Sequence, residues 1–265
     1  PDADWVIVDK NKLETAKAAK YRSYRVGVFL SDLQGKKTHG ISSPTLFREY
    51  LNKRRYDAFF LKYLEIHGCG VNPHLFEEGL HGKVYHLPWS VDCDKHKWRR
   101  KRVDVAFVGN VNDAYPLRRE IWDNLYTVAR GHKIVRAMNP KGRTFERKIG
   151  YVDHPYVGED YVNLLNETRI MIFGCSRYRY PVQKYFEASA SACLVISDTP
   201  STAKKLGFVD GETYVDVNTY EWRDALQYCL DNYGKVKHIM RAGLKNTLMN
   251  HSHEKRAQEF VEMLI

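Results

Sequence analysis

Apolar residues in this chain fall into two alternating patterns. Short apolar-rich runs, such as Trp5-Val-Ile-Val8, Arg25-Val-Gly-Val-Phe-Leu30 and Val103-Asp-Val-Ala-Phe-Val108, are the size of buried strands. Between them lie stretches where apolar residues recur every three or four positions, the period of an amphipathic helix. In the first part the pattern predicts strands over Trp5–Asp9, Arg25–Leu30, Tyr56–Tyr63 and Lys83–Leu87, with helices over Asn11–Lys20 and from Pro44 to about Asn52. Pro44 suits a first helical position, where its missing N–H has no partner to lose.

The alternation is cleaner in the second part. Strands are predicted over Val103–Val108, His132–Met138, Arg169–Phe173, Cys193–Ser197 and Thr213–Val217. Helices are predicted over Pro116–Arg130 (closed by Gly131), Glu159–Glu167, Pro181–Ala192, Thr199–Leu206, Tyr220–Asn232, Lys235–Met249 and His253–Leu264. Trp222, Leu226, Cys229 and Leu230 form one helical stripe and belong to a core. Strand–helix alternation with short connections implies parallel sheets covered by helices on both faces, an α/β fold.

Composition adds limits. With 265 residues and 43% hydrophobic content the chain can bury a core as one large domain or two small ones. No apolar run approaches the ~20 residues of a membrane-spanning helix. The first residues, Pro1-Asp-Ala-Asp4, read as no signal peptide. Five scattered cysteines (69, 93, 175, 193, 229) include no C-x-x-C pair, which speaks against a disulfide framework or structural zinc and for a reducing, cytoplasmic location. The formal net charge of +10 favours anionic partners without choosing among nucleotides, nucleic acid, acidic lipid and acidic glycan. Six of the eight residues in Lys95-His-Lys-Trp-Arg-Arg-Lys-Arg102 are Lys or Arg. So dense a charge run reads as a solvated linker, which divides the chain into lobes 1–98 and 99–265; a patch facing an anion is the alternative.

Ligands of open α/β sheets bind beyond the carboxyl ends of the strands. Two such ends are chemically unusual here. Val108 runs into Gly109-Asn110 and then a helix whose first turn holds Arg118 and Arg119. Cations there oppose the helix dipole unless an anion joins them, or unless they pair with Asp113 or Glu120. Gly109 permits close approach of a ligand. The second end, Phe173-Gly-Cys-Ser-Arg-Tyr-Arg-Tyr-Pro181, gathers Ser176, Arg177, Arg179 and Lys184 ahead of Glu187. Phosphates on the basic loop and sugar hydroxyls on the carboxylate make one reading; a Lys184–Glu187 surface pair makes the other.

These pieces resemble a family. Gly109-Asn110, Lys184-Tyr-Phe-Glu-Ala-Ser-Ala-Ser-Ala-Cys-Leu-Val-Ile-Ser-Asp198, Asp210-Gly-Glu212 and His253-Glu-Lys-Arg-Ala257 are similar to the nucleotide-sugar half of GT-B group-1 glycosyltransferases, in particular their spore-maturation-protein-like branch. The likeness covers roughly 103–265 and reaches weakly into Val84–Asp92. It implies two Rossmann-like lobes with parallel sheets, the N-terminal one reduced, and a last helix, 252–265, that crosses back to the first lobe. It also implies a nucleoside-diphosphate sugar as donor (UDP-sugar or GDP-sugar), no cofactor and no metal. Donor contacts implied by position are Gly109, Asn110, Arg118, Ser176, Arg177, Arg179, Lys184 and Glu187. Glu187 matches the second glutamate of the E-x7-E motif, which holds the nucleotide ribose. The first falls on Arg179, a departure from the family's pattern at its usual donor-sugar contact. The helix-to-strand turn, often Gly in the family, is Ala192-Cys193.

Asp32 and His39, beyond the strand Arg25–Leu30, are candidates for base or positioner of the acceptor hydroxyl; a turn cap and an ordinary loop histidine are the alternatives, and a retaining reaction needs no base. Asp92-Cys-Asp94 spells D-x-D but follows the wrong kind of segment for a metal–diphosphate site. Ser252 reads as a helix cap between His251 and His253. The acceptor stays open among glycan, lipid, protein and modified nucleic acid, as do contact with a membrane surface, a nucleic-acid-binding or DNA-modifying function, and an inactive sugar-nucleotide-binding lobe.

Overall fold

The computed structural model describes residues 5–9, 25–30, 44–53, 56–63, 79–138 and 156–265. The chain divides into two units. One comprises Pro1–Trp89 with Arg256–Ile265, the other Ser90–Lys255.

The first unit contains a four-stranded parallel sheet in the order β1 (Trp5–Asp9), β2 (Arg25–Leu30), β3 (Ala58–Leu61), β4 (Lys83–His86). The helix α1 (Pro44–Asn52) lies between β2 and β3 in sequence. All four residues of β3 are buried, the signature of a central strand covered on both faces. Val28, Leu30, Leu51 and Phe59 fill one side of the sheet. On the other, Phe60 meets Phe260 of the last helix, and Trp5 donates its indole N–H to the carbonyl of Leu264. The helix expected over Asn11–Lys20 lies outside the described residues.

The second unit holds a five-stranded parallel sheet in the order β6-β5-β7-β8-β9, with β5 at Val103–Val108, β6 at Ile134–Ala137, β7 at Thr168–Ile172, β8 at Leu194–Ser197 and β9 at Val215–Asp216. Its helices are α2 (Pro116–Val128), α3 (Glu159–Glu167), α4 (Lys184–Ala190), α5 (Trp222–Asp231) and α6 (Tyr233–Asn250), and α7 (His253–Leu264) carries the chain back into the first unit. Chain order reverses at β5: the next strand lies on one side and the one after on the other. Such a reversal opens a crevice at the carboxyl ends of β5 and β7. The core beneath it joins Phe107, Ile121, Ile170 and Ile196 to the stripe Trp222, Leu226 and Cys229.

Strand ends shift by one or two residues, and three features depart further from expectation. The helix expected over Pro181–Ala192 is only Lys184–Ala190. At its front, the Arg179 carbonyl accepts from both the N–H and the hydroxyl of Ser201, and Arg179 sits at φ +57°, so the chain cannot wind before Gln183. At its end Ala192 takes φ +54°, a left-handed conformation that favours Gly and costs Ala of order 1 kcal/mol. The helix expected over Thr199–Leu206 is a 3-10 turn at Lys204–Leu206, closed by Gly207 at φ +70°.

The third difference is the basic run, which is packed into the second unit rather than strung between lobes at 98–99. His96 is buried and bonds Ser191 through Nδ1 at 2.9 Å. Lys101 gives its ammonium to the carbonyls of Asn166 and Ser191. The fully buried Asn166 side chain binds the backbone of Lys95 and Lys97. Backbone carbonyls at the ends of two helices thus replace part of the Lys101 hydration, although burial still lowers its pKa. Ser252 caps α7 through the N–H of Lys255, as expected.

Candidate functional site

The crevice over β5 and β7 gathers part of the expected site. Gly109 directly follows β5, and its N–H bonds the Ala137 carbonyl on β6. A Cβ there would lie 3.4 Å from Arg118 Nη1 and 3.7 Å from Lys184 Cε, so both cations converge over its bare backbone. The two arginines in the first turn of α2 part company. Arg119 points outward and pairs with Asp113 at 2.7 Å. Arg118 turns inward to 4% exposure, donates Nε–H to the Gly174 carbonyl at 2.6 Å and stacks on the Tyr115 ring at 3.7 Å. Burial pulls its pKa down, and among the described residues it makes no ion pair. Gly174 is bare for a reason: a Cβ would approach Leu117 Cβ at 3.0 Å.

Helix α4 presents Lys184 and Glu187, one turn apart, to the same crevice. Its other face is fixed by Tyr185 and Phe186, which enter an aromatic cluster with Phe173, Phe208 and Tyr214. The Tyr185 hydroxyl also meets Ser197 Oγ at 2.8 Å and donates to the Asp198 carbonyl. Helix α4 therefore cannot roll, and Lys184 and Glu187 are held in place. Together with Val108, Tyr156, Val157, Gly158, Tyr161 and Gln183 they line a pocket of about 250 Å³. They close no ion pair, so the surface-pair alternative does not hold. Burial lowers the Lys184 pKa to about 8, the nearby Arg118 charge adds to the drop, and Glu187 opposes it. Burial likewise raises that of Glu187, against the pull of Lys184 and Tyr161. The Tyr161 hydroxyl is buried beside Glu187 and, among the described residues, meets no partner in full hydrogen-bond geometry.

The remaining expected residues lie differently. Asn110 is exposed. Ser176 is buried, and its hydroxyl accepts the Tyr178 N–H, a local turn contact. The Arg177 side chain faces solvent against the Tyr178 hydroxyl, while its backbone N–H ties the loop to Ala114. Arg179 reaches Asp198 at 3.8 Å, and that carboxylate also accepts the Cys175 N–H at 2.6 Å. Asp32 and His39 lie outside the described residues. Asp92 of the D-x-D sequence accepts the N–H groups of Asp94 and Lys95 and pairs with Lys95, a turn cap. Sequence reasoning missed Tyr156, Tyr161 and Gln183. The tyrosines approach from the start of α3 and carry no motif, while Gln183 sits beside Lys184 in a segment read as helix interior.

The arrangement offers two cations, an acidic side chain and a small pocket at the reversal point of a parallel sheet. It suits an anionic ligand with hydroxyl groups. The glycosyl transferase-like family profile matches residues 54–262, and the chain belongs to that family. It is a glycosyltransferase with the GT-B fold. The structure of Anabaena HepE in complex with UDP and glucose is similar with a TM-score of 0.70 and 12% identity, over 98% of this chain and 77% of that one. Sucrose-phosphate synthase from Thermosynechococcus elongatus gives 0.67 and 9%, over 98% and 73%. A glycosyltransferase from Rickettsia africae gives 0.54 and 12%, over 99% and 98%. No curated protein sequence matches the chain. Among the described residues no helix is long and apolar enough to cross a membrane.

Proposed function

We propose that the chain transfers a hexosyl group from a nucleoside-diphosphate sugar, UDP-linked or GDP-linked, to an acceptor hydroxyl, without a metal ion. The observation that carries this reading is the convergence of Arg118 and Lys184 on Gly109. Two cations share a desolvated corner, Arg118 makes no ion pair among the described residues, and its charge adds to the burial that lowers the Lys184 pKa. Such a corner is costly when empty and favourable with a diphosphate in it. As the glycosidic bond breaks, negative charge grows on the leaving diphosphate, and preformed positive charge there lowers the barrier. Glu187, which lines the pocket and can accept two hydrogen bonds, takes the ribose hydroxyls in this reading. The UDP seen in HepE is consistent with this donor class. Asp32 and His39 remain the candidates for the acceptor side.

Calorimetry with UDP-sugars and GDP-sugars tests the reading. One of them should bind, and Lys184→Ala should weaken it by roughly tenfold to a hundredfold, the worth of one charge-assisted hydrogen bond. Turnover should survive EDTA. Failure of every donor to bind, or equal binding by the variant, refutes the assignment. Lys184 is a cleaner probe than Arg118, whose loss would also unmake the Gly174 contact.

A further inference from the structure

Helix α6 has a composition that folding alone does not demand. Its 18 residues, Tyr233–Asn250, include four Lys or Arg and no Asp or Glu. Its inner face is Val236, Ile239, Met240, Gly243 and Thr247. On the outer side, at helical spacing, stand the exposed Arg241 and Lys245, with the half-buried Lys237 on its flank, followed by Leu248 and Met249, which are 45% and 61% exposed. The basic run joins this face at one end: the Lys237 ammonium sits 5.5 Å over the ring of Trp98, itself 47% exposed and flanked by Lys97, Arg99 and Arg100. Among the described residues, carboxylates answer this run only at its ends, Asp92 for Lys95 and Glu167 for Arg102. The result is a cationic strip with a large apolar group at each end, about 17 Å apart by helical rise.

Helix stability does not explain this. Carboxylates spaced four residues from these lysines would stabilise the helix, and none is present. We infer that this surface docks on an anionic phospholipid membrane. The charges match a negatively charged leaflet, and Trp98, Leu248 and Met249 sit where side chains enter the headgroup boundary. Those three apolar groups decide between anionic partners. A nucleic-acid backbone uses the cations and stacks on Trp98, but has no use for Leu248 and Met249. The proposal does not depend on the donor assignment, because none of these residues lines the pocket.

The test is co-sedimentation of the full chain with phosphatidylcholine vesicles, with and without phosphatidylserine. Binding should require phosphatidylserine and weaken with salt. The triple variant K237Q/R241Q/K245Q should bind about a hundredfold more weakly, at about fivefold per charge, while K237R/R241K/K245R should bind like the parent. L248S/M249S should lose the part of the binding that survives high salt. Donor binding should be unchanged in all three variants, which also shows that they fold. Absence of vesicle binding, indifference to phosphatidylserine, or an unaffected triple variant would overturn the proposal. So would salt-sensitive capture of duplex DNA by a protein that ignores vesicles.

Discussion

Gly109→Ala separates what the fold needs from what the site needs. Gly109 does not hold a left-handed conformation, so its backbone accepts alanine. The added Cβ would lie 3.4 Å from Arg118 Nη1 and 3.7 Å from Lys184 Cε, ordinary van der Waals contact with two side-chain ends. Loss of glycine's freedom in the unfolded chain favours the variant by about 0.4–1 kcal/mol, and slight crowding offsets part of it. Stability should therefore change by less than about 1 kcal/mol in urea unfolding. Binding is another matter. A phosphate oxygen bonded to Arg118 Nη1 must lie about 2.7–2.9 Å from it, and a methyl at 3.4 Å occupies that space. Losing one such bond costs about 1.5–3 kcal/mol, roughly tenfold to a hundredfold in donor affinity by calorimetry. A variant that binds the donor as tightly as the parent would refute the reasoning. So would one destabilised by several kcal/mol, because Gly109 would then serve the fold.

Other outcomes follow from the same contacts. Lys184 is cationic below about pH 8 in the empty site, so donor affinity should hold up to that pH and fall above it, by at most tenfold per unit; a flat profile to pH 9.5 in calorimetry would exclude Lys184 from the phosphate contact. Burial holds His96 near a pKa of about 4 against an ordinary 6.5. The unfolded chain takes up that proton first, so stability present above about pH 6.5 is lost as pH falls toward 4, by up to roughly 3 kcal/mol. Urea midpoints from pH 7 to 4.5 should fall more steeply for the parent than for His96→Gln. Gly243→Ala should destabilise by about 1–3 kcal/mol despite alanine's better helix propensity, because its Cβ would fall 2.4 Å from the Thr213 carbonyl oxygen. An unchanged melting temperature would show that α6 can shift away from that turn.

The order of strands and helices was legible because burial on a sheet and on a helix imposes periods of 2 and 3.6, and those periods survive in the sequence. Gly109, Lys184 and Glu187 were legible for a related reason: they sit at fixed offsets from strand ends, where parallel sheets place ligands. What the sequence could not say was which of two adjacent arginines turns inward. Arg118 and Arg119 differ by 100° around α2, and only the Gly174 carbonyl and the Tyr115 ring, contributed by other parts of the fold, choose between them. The basic run is a second case. As a string of charges it belongs in water, yet the Ser191 hydroxyl holds His96 inside, the carbonyls of Asn166 and Ser191 hold Lys101, and the Asn166 side chain ties down the backbone between them. Tyr161 reaches the pocket from a helix 26 positions before Glu187, a distance no local period encodes. Local chemistry and periodicity thus determined the elements and the residue types at their ends. Tertiary packing alone decided which side chains those ends turn toward each other, because that depends on neighbours remote in the chain.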